Sequence, residues 1–205
     1  MRRLILASTS AYKRQLLGRL RLPFETINPA VDESAAAGER PQALAARLAR
    51  AKAEAAVRAE AEGVAHAGAG AVPGAVVIGA DQVPALGDEV LRKPGSHAAA
   101  LRQLTSCRGR TVVFYTAAAV LETGTGRSWE TVDVTEVDFA ELAPERLDRY
   151  LELERPYDCA GGFKAEALGI VLFEAIRSND PTALIGLPLI WVARALRSIG
   201  FDPLD

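Results

Sequence analysis

Four short polar clusters interrupt an otherwise apolar pattern, and each combines residue types suited to chemistry on an anionic substrate. Ser8-Thr9-Ser10 with Arg14 puts hydroxyls and the N–H groups of a helix start beside a guanidinium. That combination makes an anion site; an ordinary serine cap with a surface arginine has the same composition. Asp32-Glu33 lies in a loop before a long helix, where paired carboxylates can hold a hard divalent ion or simply be solvated. The run VVIGA delivers Asp81 to the end of an apolar strand. A partly desolvated carboxylate there can deprotonate water or bind a metal, although aspartate also starts turns. Lys93, braced by Pro94, offers phosphate a compact cation. In CAGGFKAEALG, residues 159–169, Glu166 can accept two hydrogen bonds from the N1–H and amine of a guanine, with solvated loop charges as the plain alternative.

The elements that must position these clusters alternate between short apolar strands and amphipathic helices, which is the pattern of an α/β protein. A strand over Arg3–Ala7 leads through Ser8–Ser10 into a helix from Ala11 to Gly18, and a second strand follows at Phe24–Asn28. Pro41 opens a long helix with Leu44, Leu48, Ala51 and Ala55 on one narrow apolar face and Lys52 on its flank. The helix runs out in GVAHAGAGAVPGA, which reads as a flexible surface loop. Val76–Ala80 is a strand with Asp81-Gln82 at its carboxyl end, and Val83–Leu91 a hairpin about Gly87-Asp88. A helix over Ser96–Leu104 precedes two long strands, Thr111–Leu121 and Ser128–Phe139, joined through Gly124 and Gly126. Pro144–Leu153 reads as a short helix and Gly169–Phe173 as a last strand. A final helix spans Pro188–Ile199, with Leu189, Val192, Leu196 and Ile199 inward. No composition break separates a second domain, so residues 1–205 are expected to form one.

Composition excludes several classes. The formal net charge is −2 with no basic stripe, which argues against a nucleic-acid partner. No apolar run approaches the roughly 18 to 20 residues of a membrane span, and the start MRRLILAS passes into polar sequence, so neither a leader nor a membrane partner is expected. Cys107 and Cys159 lie far apart without a histidine-rich segment, which disfavours a zinc site or a disulfide framework and points to a reduced, cytoplasmic setting. GxGxxG, GxxxxGK[ST], HExxH and GxSxG are all missing from the chain. Of 24 basic residues only four are lysines, at 13, 52, 93 and 164, in a chain that otherwise uses arginine. Lys13 reads as incidental; the other three fall in the polar segments.

Taken in order, LILASTSAYKRQLL, VDE, LARAKA, IGADQV and RKPG resemble the Maf family of nucleoside triphosphate pyrophosphatases, and the resemblance runs from about Leu4 to Leu204. ADQV, VVFYT and CAGGFKAEALGIVLFEAIRSNDPTALIGLPL are most similar to the YceF branch, associated with 7-methyl-GTP. The resemblance implies a mixed, twisted α/β sheet with flanking helices and two lobes around a nucleotide-binding cleft, often assembled as a homodimer. It implies Asp81 as the proton acceptor, and Ser8, Ser10, Arg14, Lys52 and Lys93 on the triphosphate. Glu33 is the candidate ligand of a divalent ion, Mg²⁺ or Mn²⁺. By motif, substrate choice falls on Tyr12, Gln82 and Glu166, where the pyrimidine branch has arginine, threonine and glutamine. The expected reaction is hydrolysis of 7-methyl-GTP to its monophosphate and pyrophosphate, a house-cleaning of non-standard nucleotides. The alternatives are a dTTP/UTP or broad-specificity pyrophosphatase and, in another class, a nucleotide-binding regulator of cell division or septum formation.

Overall fold

The computed structural model describes residues 2–67 and 74–205. A seven-stranded mixed sheet organises it, comprising β1 (Leu4–Ala7), β2 (Glu25–Ile27), β3 (Val76–Leu86), β4 (Glu89–Val90), β5 (Thr111–Glu122), β6 (Ser128–Phe139) and β7 (Phe173–Arg177). The order is β2-β1-β3-β5-β6-β7, with β4 folded back on the far end of β3. The β2-β1-β3 part is parallel and everything beyond β3 is antiparallel. Parallel neighbours need long crossovers, supplied here by α1 (Ala11–Gly18) between β1 and β2 and by α2 (Pro41–Ala67) before β3. Helices α3 (His97–Cys107), α4 (Pro144–Glu154) and α5 (Leu189–Arg197) complete the chain.

Strand alternation divides the core. On one face of β3, Val76, Ile78 and Ala80 pack with Leu4 and Leu6 of β1, Leu16 and Leu17 of α1, and Val192 and Leu196 of α5. On the other, Val77 meets Ala53 and Ala56, and Val83 meets Leu44, Leu48 and Ala49, all from α2. A further cluster joins α3 and α4 to the other half of the long strands, where Phe114, Phe139, Phe163 and Phe173 pack edge to face at centroid distances of 5.1–5.5 Å.

Several expectations need correction. Val76–Ala80 and Val83–Leu86 are one strand, β3, because β5 continues the ladder across Asp81 and Gln82, opposite Ala117 and Thr116. Asp81 is at a carboxyl edge only with respect to β1, whose pairing stops at Ala7 opposite Gly79. The expected strand at Gly169–Phe173 is instead a 3₁₀ turn over Leu168–Leu172, and the strand is Phe173–Arg177. Gly169 allows that turn, since a Cβ there would lie 2.4 Å from the Lys164 carbonyl oxygen. The buried face of α2 is Leu44, Ala45, Leu48, Ala49, Lys52, Ala53 and Ala56, so Lys52 is within the face rather than on its flank, and Ala51 and Ala55 stand beside it. Helix α2 continues to Ala67; the rest of the Gly/Ala-rich stretch expected as a loop, residues 68–73, lies outside the described residues.

The α2–β3 contact is close because both surfaces are small. A Cβ on Gly79 would fall 2.1 Å from the Ala49 carbonyl oxygen and 2.6 Å from the Ala53 nitrogen. Both are helix backbone, so neither can move alone. Gly79→Ala is therefore expected to destabilise the protein by about 3 kcal/mol or more, lowering the midpoint of a thermal melt by roughly 6–12 °C.

Candidate active site

Alternation along β3 also places the chemistry. Asp81 is on the α2 face, in line with Val77, Gly79 and Val83, and Gln82 is on the opposite face. Because α2 approaches so closely at Gly79, Lys52, three residues beyond Ala49, reaches Asp81 directly, with Nζ 2.6 Å from Oδ1. Both residues are buried, each 8% exposed. The same ammonium lies 2.5 Å from Glu33 Oε1, midway along the loop between β2 and α2. Burial works against the Lys52 charge, but Asp81 and Glu33 outweigh it and hold its pKa above the ordinary value. Lys52 in turn donates to Glu33 and holds that carboxyl below its usual range.

The end of β1 supplies the next wall. Ser8 follows Ala7, the last residue paired with β3, and its Oγ accepts a hydrogen bond from the Ser10 N–H at 3.1 Å. Ser10 caps α1, its Oγ accepting from the Lys13 N–H at 3.4 Å. These residues, with Tyr12, Glu33, Lys52, Asp81, Gln82, Lys93 and Glu166, line one cleft of about 700 Å³, within the usual range for small-molecule sites. Nine of the ten residues singled out from sequence thus converge. The tenth, Arg14, is exposed and does not line the cleft; Lys13 does. Successive helix positions turn by about 100°, so the residue three after the Ser10 cap shares its side of α1 and the next one does not. Burial lowers the Lys13 pKa against the attraction of Asp81, and the side chain runs past Gly186, whose hypothetical Cβ would lie 3.8 Å from Nζ.

At the other end of the cleft, Tyr12 is half-buried beside the 158–166 segment. Burial is the main cause that raises its phenol pKa, and the negative charges of Glu166 and Asp158 add to it. Asp158 and Glu166 have no ion-pair partner among the described residues, whereas Lys164 is 3.3 Å from Glu154 and its N–H donates to the Tyr150 hydroxyl. Sequence reasoning passed over Asp158; its position one residue before Cys159, in the glycine-rich block, was the available signal. Cys159 also lines the cleft, but burial pushes its thiol up to about 11, which suits a packing role better than a nucleophile.

The donor set suits a hard cation in part. Glu33 and Asp81 converge on the single Lys52 ammonium, and no group of three or more His, Cys, Asp or Glu side chains able to hold a metal occurs among the described residues. Two carboxylates fit Mg²⁺-type binding, in which substrate phosphates and water complete the shell. No helix among the described residues is long and apolar enough to cross a membrane.

Comparison with known proteins places the chain in a family. A family model described as Maf-like protein matches residues 3–199. A 7-methyl-GTP pyrophosphatase of Xanthomonas oryzae is 54% identical over 98% of both chains. Proteins of the same name from Cupriavidus metallidurans and Albidiferax ferrireducens are 50% and 47% identical, covering 97% and 99% of this chain and 94% and 96% of their own. With nearly its whole length matched in this way, the chain belongs to the Maf family.

Proposed function

We propose that this protein hydrolyses 7-methyl-GTP to 7-methyl-GMP and pyrophosphate. The observation that carries the reading is the distribution of charge along one cleft. Lys13, Lys52 and Lys93 gather around Asp81 at one end, and Tyr12, Asp158 and Glu166 form the other. A nucleotide with an anionic triphosphate and a cationic base is the complement of that arrangement, and methylation at N7 is what makes a guanine cationic. Stacking on Tyr12 would add a cation–π contribution of about 0.5–2 kcal/mol. Glu166 would accept from N1–H and the exocyclic amine. The relatives named for 7-methyl-GTP support the same substrate.

In the mechanism, Asp81 takes a proton from the water that attacks the α-phosphorus, and the bond to the bridging oxygen breaks to release pyrophosphate. Lys52 holds the Asp81 carboxylate in place. It has three N–H donors, of which two meet Asp81 and Glu33, leaving one for a phosphate oxygen. Ser8, Ser10 and the amino terminus of α1, together with Lys13 and Lys93, meet the remaining charge. Arg14, outside the cleft, would act only from a distance. A divalent ion, held by Glu33 and Asp81 with the triphosphate, would supply further charge neutralisation when bound. Activity is expected to require Mg²⁺ or Mn²⁺, and a nucleotide-binding regulator would instead bind without releasing pyrophosphate.

A pyrophosphate-release assay tests the reading. Wild type is expected to favour 7-methyl-GTP over GTP, dTTP and UTP by at least about tenfold in kcat/KM, on the scale of one strong recognition contact; equal rates across the panel would remove the base assignment. Asp81→Asn is expected to lower kcat by about 10³-fold while the protein still folds and melts cooperatively, at a lower midpoint because Lys52 keeps only Glu33 as its partner, and substantial remaining turnover would exclude Asp81 as the base. Lys52→Arg is expected to lose at least about tenfold, because a planar guanidinium does not replace an ammonium wedged between two carboxylates.

The same cluster gives a stability signature. The Glu33 pKa is lowered from 4.5, so its contribution is present above about that pH and lost as pH falls through the lowered value. The Lys52 pKa is raised from 10.5, so its contribution is complete below about that pH and lost as pH rises through the raised value. Urea unfolding of wild type and Lys52→Met should therefore differ by a constant amount between about pH 5 and 10, and the difference should shrink on either side.

A further inference from the structure

Gln82 is not free to use both ends of its amide. Its Nε2 lies 2.8 Å from the Ala183 carbonyl oxygen, 2.9 Å from that of Leu184, and 3.1 Å from Thr116 Oγ1. The Thr116 hydroxyl itself donates to the Ala183 carbonyl at 2.9 Å, so its lone pairs are what it turns to Gln82. Thr116 is fully buried and stands opposite Gln82 in the β3–β5 ladder. An amide nitrogen has two hydrogens, and three acceptors compete for them here. Neither hydrogen is left for a ligand. The reverse orientation of the amide is excluded, because Oε1 would then face two carbonyl oxygens that cannot donate. Oε1 makes no hydrogen bond among the described residues and is not among the buried polar atoms without a partner, so it is open to solvent in a side chain that lines the cleft.

The acceptors are themselves held. Asp180 is 3% exposed; its Oδ1 accepts from the Thr182 N–H at 2.9 Å and its Oδ2 from the Ile190 N–H at 2.7 Å, pinning the 180–190 segment across the start of α5. The Ala183 and Leu184 carbonyls are therefore fixed points.

We propose that Thr116 is a positioning residue which, with these two carbonyls, makes Gln82 a one-way acceptor, so that the cleft selects nucleosides presenting a hydrogen-bond donor to Oε1. This rests on the nucleoside triphosphate reading of the cleft. Two donors on a guanosine nucleotide have the required chemistry. One is the exocyclic amine hydrogen that a carboxylate already engaged with N1–H leaves unused; the other is a ribose hydroxyl. A substrate whose edge at this point is a carbonyl or ring nitrogen meets acceptor against acceptor.

The test compares kcat/KM for 7-methyl-GTP with that for its 7-methylinosine counterpart, which lacks the amine, and its 2′-deoxy and 3′-deoxy counterparts, which each lack one hydroxyl. Wild type is expected to lose about tenfold on one of these, which identifies the donor. In Thr116→Val, which keeps the shape but not the hydroxyl, the Ala183 carbonyl loses its donor and Gln82 one of its three acceptors, so that loss should shrink by about half or more, whereas Thr116→Ser should restore it. Gln82→Met should abolish the loss on a deoxy counterpart, and reduce the loss on the inosine counterpart to the share that Glu166 carries through its own contact with the amine; it serves where the valine variant does not fold. A wild type indifferent to all three changes, or variants at Thr116 and Gln82 that keep the full wild-type loss, would overturn the proposal. Failure of wild type to release pyrophosphate from any of these nucleotides would instead overturn the functional reading beneath it. A merely structural Thr116 would lower activity on all four substrates alike.

Discussion

The Lys52–Asp81 pair is the interaction on which the site depends. Each charge alone would be costly at 8% exposure. Together, with Glu33 as a second acceptor, they satisfy one another at 2.5–2.6 Å. A buried pair of this kind adds little net stability, and removing one partner strands the other. Its value is positional, since the ammonium fixes where the carboxylate stands, as the role proposed for Asp81 requires. The pair can form only because α2 lies against β3 at backbone distance, which in turn requires Gly79 on the strand and a run of small residues, Ala45, Ala49, Ala53 and Ala56, on the helix. The packing of small residues is thus what brings the two charges together.

The sheet explains why the other groups arrive at the same place. β1 stops at Ala7 opposite Gly79, while β3 continues along β5 for six more residues to Ala85. That mismatch opens a gap beside Asp81, and the chain leaving β1 must turn there, which puts Ser8, the Ser10 cap and the first turn of α1 at its edge. The strand period then separates the two halves of the task. Asp81 faces α2 and the Lys52 ammonium; Gln82 faces the Asp180–Leu187 segment. Neighbouring residues can therefore serve proton transfer and selection without competing for space.

Local signals carried most of this into the sequence. The Ser10 cap, the Pro41 start, the Gly87-Asp88 hairpin and the alternation of β5 and β6 are short-range features, and their elements formed where the pattern put them. Long-range contacts were less legible. The continuity of β3 through Asp81 depends on β5, some 35 residues away, and the polar Asp-Gln pair disguised it. The face of α2 was displaced because alanines on both sides of a narrow helix look alike, and only contact with Gly79 decides which are inside. The 3₁₀ turn at Leu168–Leu172 has the apolar composition of a strand and little to mark it except Gly169.

The lysines show how composition becomes chemistry once a fold is given. With 20 arginines available, the chain keeps only four lysines. Three of them, Lys13, Lys52 and Lys93, line the cleft around Asp81, including the one that sequence alone made incidental. An ammonium is a point charge that fits between two carboxylates or beside a backbone turn at Gly186, where a planar fork would have to displace packed atoms. It is also more strongly hydrated, so desolvating it is costly, as the lowered pKa of Lys13 reflects. A cation kept short of water in this way gains most from the arrival of phosphate oxygens, because they replace solvent it has already lost. Lys52, buried between two carboxylates, and Lys13, packed past Gly186, are the positions where this compactness counts; Lys93 reaches the cleft from an exposed position.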